Sequence, residues 1–184
     1  MKPELEQKLK IKYPKLFKDL TFCENGDGWY DLIDKMCFSI QNHIDQTRKS
    51  VAFRKMHNRI LMQAKNGNTT NLKYKLRKLG VDPYKIDNMV ANDIESGKYM
   101  PSISESPKQV IFLQIKEKFG SLRVYAANLD DYSSGIIRMS ENISEIICEE
   151  CGKPGKKRGG FPAGGWIRVN CENCEENRFK NIKE

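Results

Sequence analysis

The sequence has no apolar run longer than Val110–Leu113, far short of the ~20 residues that a bilayer-spanning helix needs, so no membrane role is expected. Its opening, MKPELEQKLK, lacks the apolar stretch of a secretory signal, so a cytoplasmic setting, where thiols stay reduced, is expected. Histidine is scarce: His43 and His57 are the two present, and neither stands in a zinc-protease pattern or a nuclease-type metal finger. There is no P-loop and no complete dinucleotide-binding fingerprint, because Gly26-Asp27-Gly28 is too short to count. Asp27, Asp31 and Asp34 cluster near Trp29 and could hold a divalent ion, yet Asp27 and Asp31 equally suit the positive end of a following helix. Glu117 and Lys118 loosely resemble half of a nuclease motif, but the partner acid and the spacing it requires are missing. The sequence therefore names no catalytic residue, and an enzyme is not expected.

What is present is an ordinary balance of apolar and charged residues in 184 positions, 39% and 30%, which argues for a folded core and against wholesale disorder. The net charge of +8 is unevenly spread. Between Arg48 and Lys85 lie 11 basic residues against Asp82 as the one acid, so the positive excess belongs to one local surface.

Periodicity organises the chain. Pro3–Lys12 is predicted as a short helix, with Leu16, Phe17, Leu20 and Phe22 packing behind it. GDGW forms a turn whose glycines suit positive φ. From Trp29, the spacing of Leu32, Ile33, Met36, Cys37, Ile40 and Ile44 predicts a core helix ending near Thr47, with Cys37 as a small buried hydrophobe. Phe53, Met56, Ile60 and Leu61 mark another helix, broken at Asn66-Gly67-Asn68. Leu72, Leu76 and Leu79, with Thr69 or Thr70 as N-cap, begin a helical hairpin over 69–97 that turns at Gly80 and Pro83. Gly97 and Pro101 end it. Alternation at Ile111, Leu113 and Ile115, then at Leu122, Val124 and Ala126, predicts a β-hairpin around Gly120, with cover on both faces. A helix from about Ser133 to Ile147 leads into the cysteines.

Cys148-x2-Cys151 and Cys171-x2-Cys174 are separated by 19 residues. A two-residue gap lets both thiolates of a knuckle face one ion, and two knuckles complete a tetrahedron of soft sulfur ligands. Disulfides are the alternative, and the expected cytoplasmic setting argues against them. Four protein ligands leave no open position, so a single Zn2+ here is structural. The intervening GKPGKKRGGFPAGG reads as a flexible basic loop, and GWIRVN as a returning strand. The fold class is α+β, mostly helical, with a β-hairpin and a C-terminal zinc-ribbon-like module. Residues 1–147 form the mainly helical domain, carrying a basic helical insertion at about 48–100, and residues 148–184 form the zinc-ribbon-like module.

The basic stretch offers Arg54, Lys55, Arg59, Lys73, Lys75, Arg77 and Lys78 on predicted helices, with Tyr74 and Tyr84 available for stacking. Phosphate contact, an acidic protein partner and a merely solvated face all fit this pattern. Lys156, Lys157 and Arg158 extend the same tendency.

Four segments, GDGWYDLIDKMC, QIKEKFGSLRVY, CEECGKPG and GGWIRVNCENC, together resemble a widespread family of uncharacterised small proteins of bacteriophages and prophages. The resemblance covers residues 23–47 and 109–174. It implies action inside a bacterial host cell and no established activity, and the basic helices look like an insertion particular to this member. By analogy of size and origin, the expected function is an anti-CRISPR-like inhibitor. Such a protein binds a host defence protein complex, a CRISPR effector among them. The alternatives are a nucleic-acid-binding phage regulator and a divergent metal-dependent nuclease.

Overall fold

The computed structural model describes residues 1–96, 105–160 and 164–181. Helices dominate, with one three-stranded sheet and one two-stranded hairpin. Helix α1 (Pro3–Lys12) has proline in its first turn and lysines in its last, the arrangement that suits the helix dipole. Leu9, Tyr13, Leu16, Phe17 and Leu20 follow into the core, whereas Phe22 is exposed. Strand β1 (Cys23–Glu24) runs parallel to β2 (Ile111–Glu117), which pairs antiparallel with β3 (Leu122–Ala127).

The predicted alternation of the hairpin holds on one strand and fails on the other. Leu122 and Val124 of β3 are buried as expected. A bulge between Phe112 and Gln114 shifts the register of β2, so Phe112 and Ile115 face the core and Leu113 is exposed. One extra residue in a strand inverts the side of everything beyond it. Phe112 meets Phe17 edge to face, with centroids 5.5 Å apart.

Helix α2 (Tyr30–Lys65) is continuous over 36 residues. The expected end near Thr47 is absent because no glycine or proline lies between Trp29 and Asn66; what changes at 47 is side-chain polarity, not helix-forming capacity. Ile33, Met36, Cys37, Ile40 and Ile44 are buried at helical spacing. Helices α3 (Thr70–Lys78) and α4 (Pro83–Ser96) form the predicted hairpin. Thr69 sits at the N-cap of α3 without a side-chain cap bond, and Asn68 Oδ1 accepts from the Thr70 N–H at 3.3 Å instead. The stop expected at Gly97 and Pro101 lies outside the described residues.

Helix α5 (Asp131–Ser144) buries Ser133, Ile137, Ser140 and Ser144. Its serines serve the sheet edge. Ser144 Oγ accepts from the Leu122 N–H at 2.8 Å, and Glu141 Oε1 accepts from the Val124 N–H at 3.0 Å, so side chains occupy donors that an edge strand would leave open. The remaining elements are β4 (Lys156–Gly160), β5 (Gly164–Asn170) and α6 (Glu172–Asn181). β4 and β5 pair antiparallel, so Lys156–Gly160 of the segment expected as a flexible loop is a hairpin arm, while residues 161–163 lie outside the described residues.

The chain divides into two compact units, residues Met1–Ile44 with Lys108–Glu184, and residues Asp45–Pro107. The second half of α2 with α3 and α4 lies in the second unit, and the cysteine segment lies in the first. This segment is held there by the GDGW turn, by Trp166 Nε1 donating to Glu117 and by Lys157 pairing with Glu145.

Candidate metal centre and basic face

Ile147 bridges to Pro154 in an isolated antiparallel pair, and this pins the two ends of the first knuckle. Within it the Gly152 N–H donates to Cys148 O at 2.9 Å and the Cys148 N–H donates to Lys153 O at 2.7 Å. Gly152 has φ +76°, a turn conformation that a side chain resists. The β4–β5 hairpin returns the chain to Cys171, which directly precedes α6, and Cys174 lies in the first turn of that helix. Asn170 is buried beside them, its amide donating to Glu175 Oε2 at 2.8 Å.

The ligand atoms of Cys148, Cys151, Cys171 and Cys174 all lie within 4.8 Å of one another, and Cys151 Sγ is 3.7 Å from Cys171 Sγ. Tetrahedral zinc with bonds of ~2.3 Å requires sulfur–sulfur edges of ~3.8 Å, whereas a disulfide closes to ~2.05 Å. The cysteines are free thiols spaced to surround an ion. Their ionisation is in conflict without one. The Cys174 backbone N–H aimed at its sulfur pulls the Cys171 thiol down to about 7. Burial and the neighbouring thiols push Cys174 up, and burial raises Cys148. A divalent ion at the centre would stabilise all four thiolates at once. The residues present fit a metal ion, and the closed four-sulfur set leaves no ligand position for chemistry.

The knuckle is built against the GDGW turn. The Gly28 N–H donates to Glu149 O at 2.6 Å, the Gly26 N–H donates to Glu149 Oε1 at 2.9 Å, and Trp29 Nε1 donates to Ile147 O at 2.9 Å. A Cβ on Gly28 would stand 2.2 Å from Cys148 O and 2.4 Å from Gly152 N. Positive φ was the expected role of these glycines, but Gly26 has φ −73°; both are glycine because knuckle backbone lies where a side chain would go. Glu149 is a junction that sequence reading missed. Burial raises its carboxyl above the usual range, opposed by the Gly26 N–H.

The carboxylates near Trp29 do not converge. Asp27 is tied to Lys2 (backbone N–H 2.7 Å, ammonium 3.1 Å) and Asp34 to Lys12 at 2.7 Å and Tyr13 at 3.0 Å. Asp31 is exposed. Glu117 accepts from the Gly120 N–H at 2.6 Å and from Trp166 Nε1 at 2.8 Å, a turn-holding role. Among the described residues the four cysteines are the group of three or more donors close enough to share an ion. Cys23 and Cys37 are both buried, and burial pushes the Cys23 thiol up to about 12, far from a reactive thiolate. His43, expected at the end of a helix, pairs through Nε2 with Asp130 Oδ2 at 2.8 Å and stacks on Tyr132. No local motif joins residues 87 positions apart.

The seven basic candidates separate by environment. Lys55, Arg59, Arg77 and Lys78 are exposed, while Arg54, Lys73 and Lys75 are half-buried. Lys73 pairs with Asp87 of α4 at 2.6 Å. Lys75 donates to His57 Nδ1 at 2.6 Å and lies over the Phe53 ring. Arg59, Lys75 and Lys78 border one groove of about 440 Å³, together with Met56, Ile60, Gln63, Asn71 and Tyr74. Lys156, Lys157 and Arg158 are more constrained than an exposed loop would be. Lys157 meets Glu145 at 2.8 Å, Lys156 meets Glu172 at 3.8 Å, and Arg158 Nε donates to Asn170 O at 3.1 Å. No helix among the described residues is long and apolar enough to cross a membrane. Compared with protein-family models, curated proteins and solved structures, the chain matches none.

Proposed function

We propose that this chain is a non-enzymatic binding protein, stabilised by one zinc ion on Cys148, Cys151, Cys171 and Cys174, that engages an acidic protein partner through its basic unit. The observation that carries the reading is the division of labour between the units. The four metal ligands belong to one unit and form a closed sulfur set, with Cys148 buried, Cys171 and Cys174 half-buried and Cys151 exposed. The other carries cations along the second half of α2 and along α3, with no acid among residues 46–81. The resemblance to phage proteins suggests the partner class: a subunit of a host defence complex, such as a CRISPR effector, bound inside the bacterial cytoplasm. Zinc on four sulfurs supplies folding free energy on the order of 10 kcal/mol, which suits a loop-rich segment that buries few large side chains.

A nucleic-acid-binding regulator is the second reading, favoured by the exposure of Lys55, Arg59, Arg77 and Lys78 beside the exposed Tyr74 and Tyr84. One feature weighs against it: Lys73 is neutralised by Asp87, which removes one of the cations that would follow a strand. A metal-dependent nuclease gains no support, because Asp27 and Asp34 are engaged with lysines.

Affinity capture from phage-infected cell lysate, with a parallel nuclease-treated sample, tests the proposal. Recovery of a defence-complex subunit that survives nuclease treatment is the expected result. Capture that disappears with nuclease, alongside direct oligonucleotide binding with a steep salt slope that weakens in Arg77→Ala and Lys78→Ala, would replace it with the second reading.

A further inference from the structure

The groove between α2 and α3 has a specific construction. Its α2 wall consists of Met56, Arg59, Ile60 and Gln63, and its α3 wall of Asn71, Tyr74, Lys75 and Lys78. Each wall is an i, i+3, i+4, i+7 stripe, so each runs two helical turns, or ~10 Å. Leu61, Ala64, Leu72 and Leu76 of the same two helices are buried with Ile86 and Val90 of α4. The groove is therefore what the packed helix pair leaves facing outward. Asn71 Nδ2 donates to Gln63 Oε1 at 3.0 Å and ties the walls together at one end. Toward the other end stand Phe53, His57 and Lys75, linked by a ring stack and a hydrogen bond.

The lining combines two properties. Met56 and Tyr74 are half or more exposed, at 50% and 58%, and with Ile60 they give an apolar floor. Arg59, Lys75 and Lys78 supply three cations around it, and no carboxylate lines the groove. A solvated helix face does not need an apolar floor, and a groove for an uncharged ligand does not need three cations. The pairing of methionine with isoleucine favours an aliphatic or aromatic side chain inserted from above, since methionine adapts its shape to what it meets.

We propose that this groove receives one helical segment of an acidic protein partner, whose apolar residues at i, i+3 or i+4 and i+7 seat on Met56, Ile60 and Tyr74 while its carboxylates meet Arg59, Lys75 and Lys78. This rests on the binding-protein reading and names the binding site. The match of length is direct, because two turns of groove accept two turns of helix. Charge complementarity fixes the sign of the partner's polar face and speeds encounter.

The test uses the full-length, zinc-loaded protein and a panel of fluorescein-labelled helical peptides with glutamate on the polar face. Panel members differ in the anchor residue, which is leucine, phenylalanine, tryptophan or alanine. Binding is read by anisotropy, with a composition-matched scrambled peptide and a single-stranded DNA oligonucleotide as competitors. Expected is saturable binding of at least one apolar-anchored peptide, weakened by about tenfold or more in Arg59→Glu with Lys78→Glu and in Met56→Ser, and unaltered in Lys35→Glu outside the basic unit. Circular dichroism checks that each variant keeps its helices, and Met56→Leu should retain binding where Met56→Ser does not. Four outcomes overturn the proposal. These are no binding by any panel member, equal binding of the scrambled peptide, insensitivity to the groove variants, and displacement by DNA at lower concentration than by peptide. Insensitivity to the groove variants, with nuclease-resistant protein capture intact, removes the groove and leaves the binding-protein reading standing. Displacement by DNA together with nuclease-sensitive capture removes both.

Discussion

Gly28→Ala probes the joint between the GDGW turn and the cysteine knuckle. The added Cβ would sit 2.2 Å from Cys148 O, 2.4 Å from Gly152 N and 2.7 Å from Cys151 N, where carbon contacts ordinarily settle at ~3.5–4.0 Å. All three are backbone atoms and cannot rotate away. Either the turn withdraws, breaking the Gly28 N–H to Glu149 O bond and the Trp29 Nε1 to Ile147 O bond, or the knuckle moves and displaces Cys148 and Cys151 from their ligand positions. Overpacking at ~1–3 kcal/mol and two hydrogen bonds at ~0.5–1.5 kcal/mol each give a central loss of about 4 kcal/mol. For a chain of this size that lowers Tm by roughly 8–16 °C. Calorimetry of the zinc-loaded protein reads the first consequence. Competition with a chromophoric chelator reads the second, a zinc affinity weaker by about tenfold or more. Gly135→Ala is the control: a Cβ there meets nothing within 4 Å and the residue is in helix α5, so stability should rise by ~0.5–1 kcal/mol. Gly28→Ala melting with the parent and holding zinc equally well would refute the reasoning.

Trp29→Phe keeps most of the buried ring and removes the donor to Ile147 O; a loss of ~1–3 kcal/mol is expected from the carbonyl left without its partner, measured by denaturant titration. Asp130 should matter most toward acid. Burial opposes its ionisation, but the Ser133 N–H and then His43 overcome this and hold its carboxyl below the usual range. The stability this brings is fully present above the unfolded value of ~3.9 and is lost as pH falls through the folded value. Asp130→Asn should flatten that acid limb and keep the helix cap, because asparagine accepts from the Ser133 N–H as aspartate does; Asp130→Ala should lose the cap as well, at ~1 kcal/mol. His57 acts over a different window. Burial, then the Lys75 ammonium, depresses its imidazole, so the unfolded chain binds the proton first. Stability therefore falls as pH drops below ~6.5 toward the folded value, and His57→Gln should remove that slope from the pH dependence of unfolding.

The cysteines were readable from the sequence because ligand spacing is a local property: two residues between thiolates is enough to state which atoms face one ion. The helices were readable where apolar spacing persisted, as from Ile33 to Ile44. The continuation of α2 to Lys65 was not, since a change from apolar to basic composition at Thr47 looks like a boundary while the backbone meets no breaker until Gly67. Leu113 shows a second limit. Its alternation with Ile111 and Ile115 is correct as a pattern, and a bulge that sequence does not announce reverses the face. Gly26 and Gly28 show a third. Their spacing marked a turn, but the reason for glycine lies over a hundred residues away in Cys148–Gly152. The pairing of His43 with Asp130 and the groove between α2 and α3 likewise depend on which elements meet, and neither has a local signature.

Zinc content decides the central claim. Native mass spectrometry of purified protein, paired with elemental analysis, should find about one zinc per chain. Chelation should remove it with loss of folded signal from the knuckle and from Trp29, whose indole is bonded to the knuckle's edge. A chain that is free of metal, with Cys148, Cys151, Cys171 and Cys174 reduced and Trp29 as buried as before, would contradict the account.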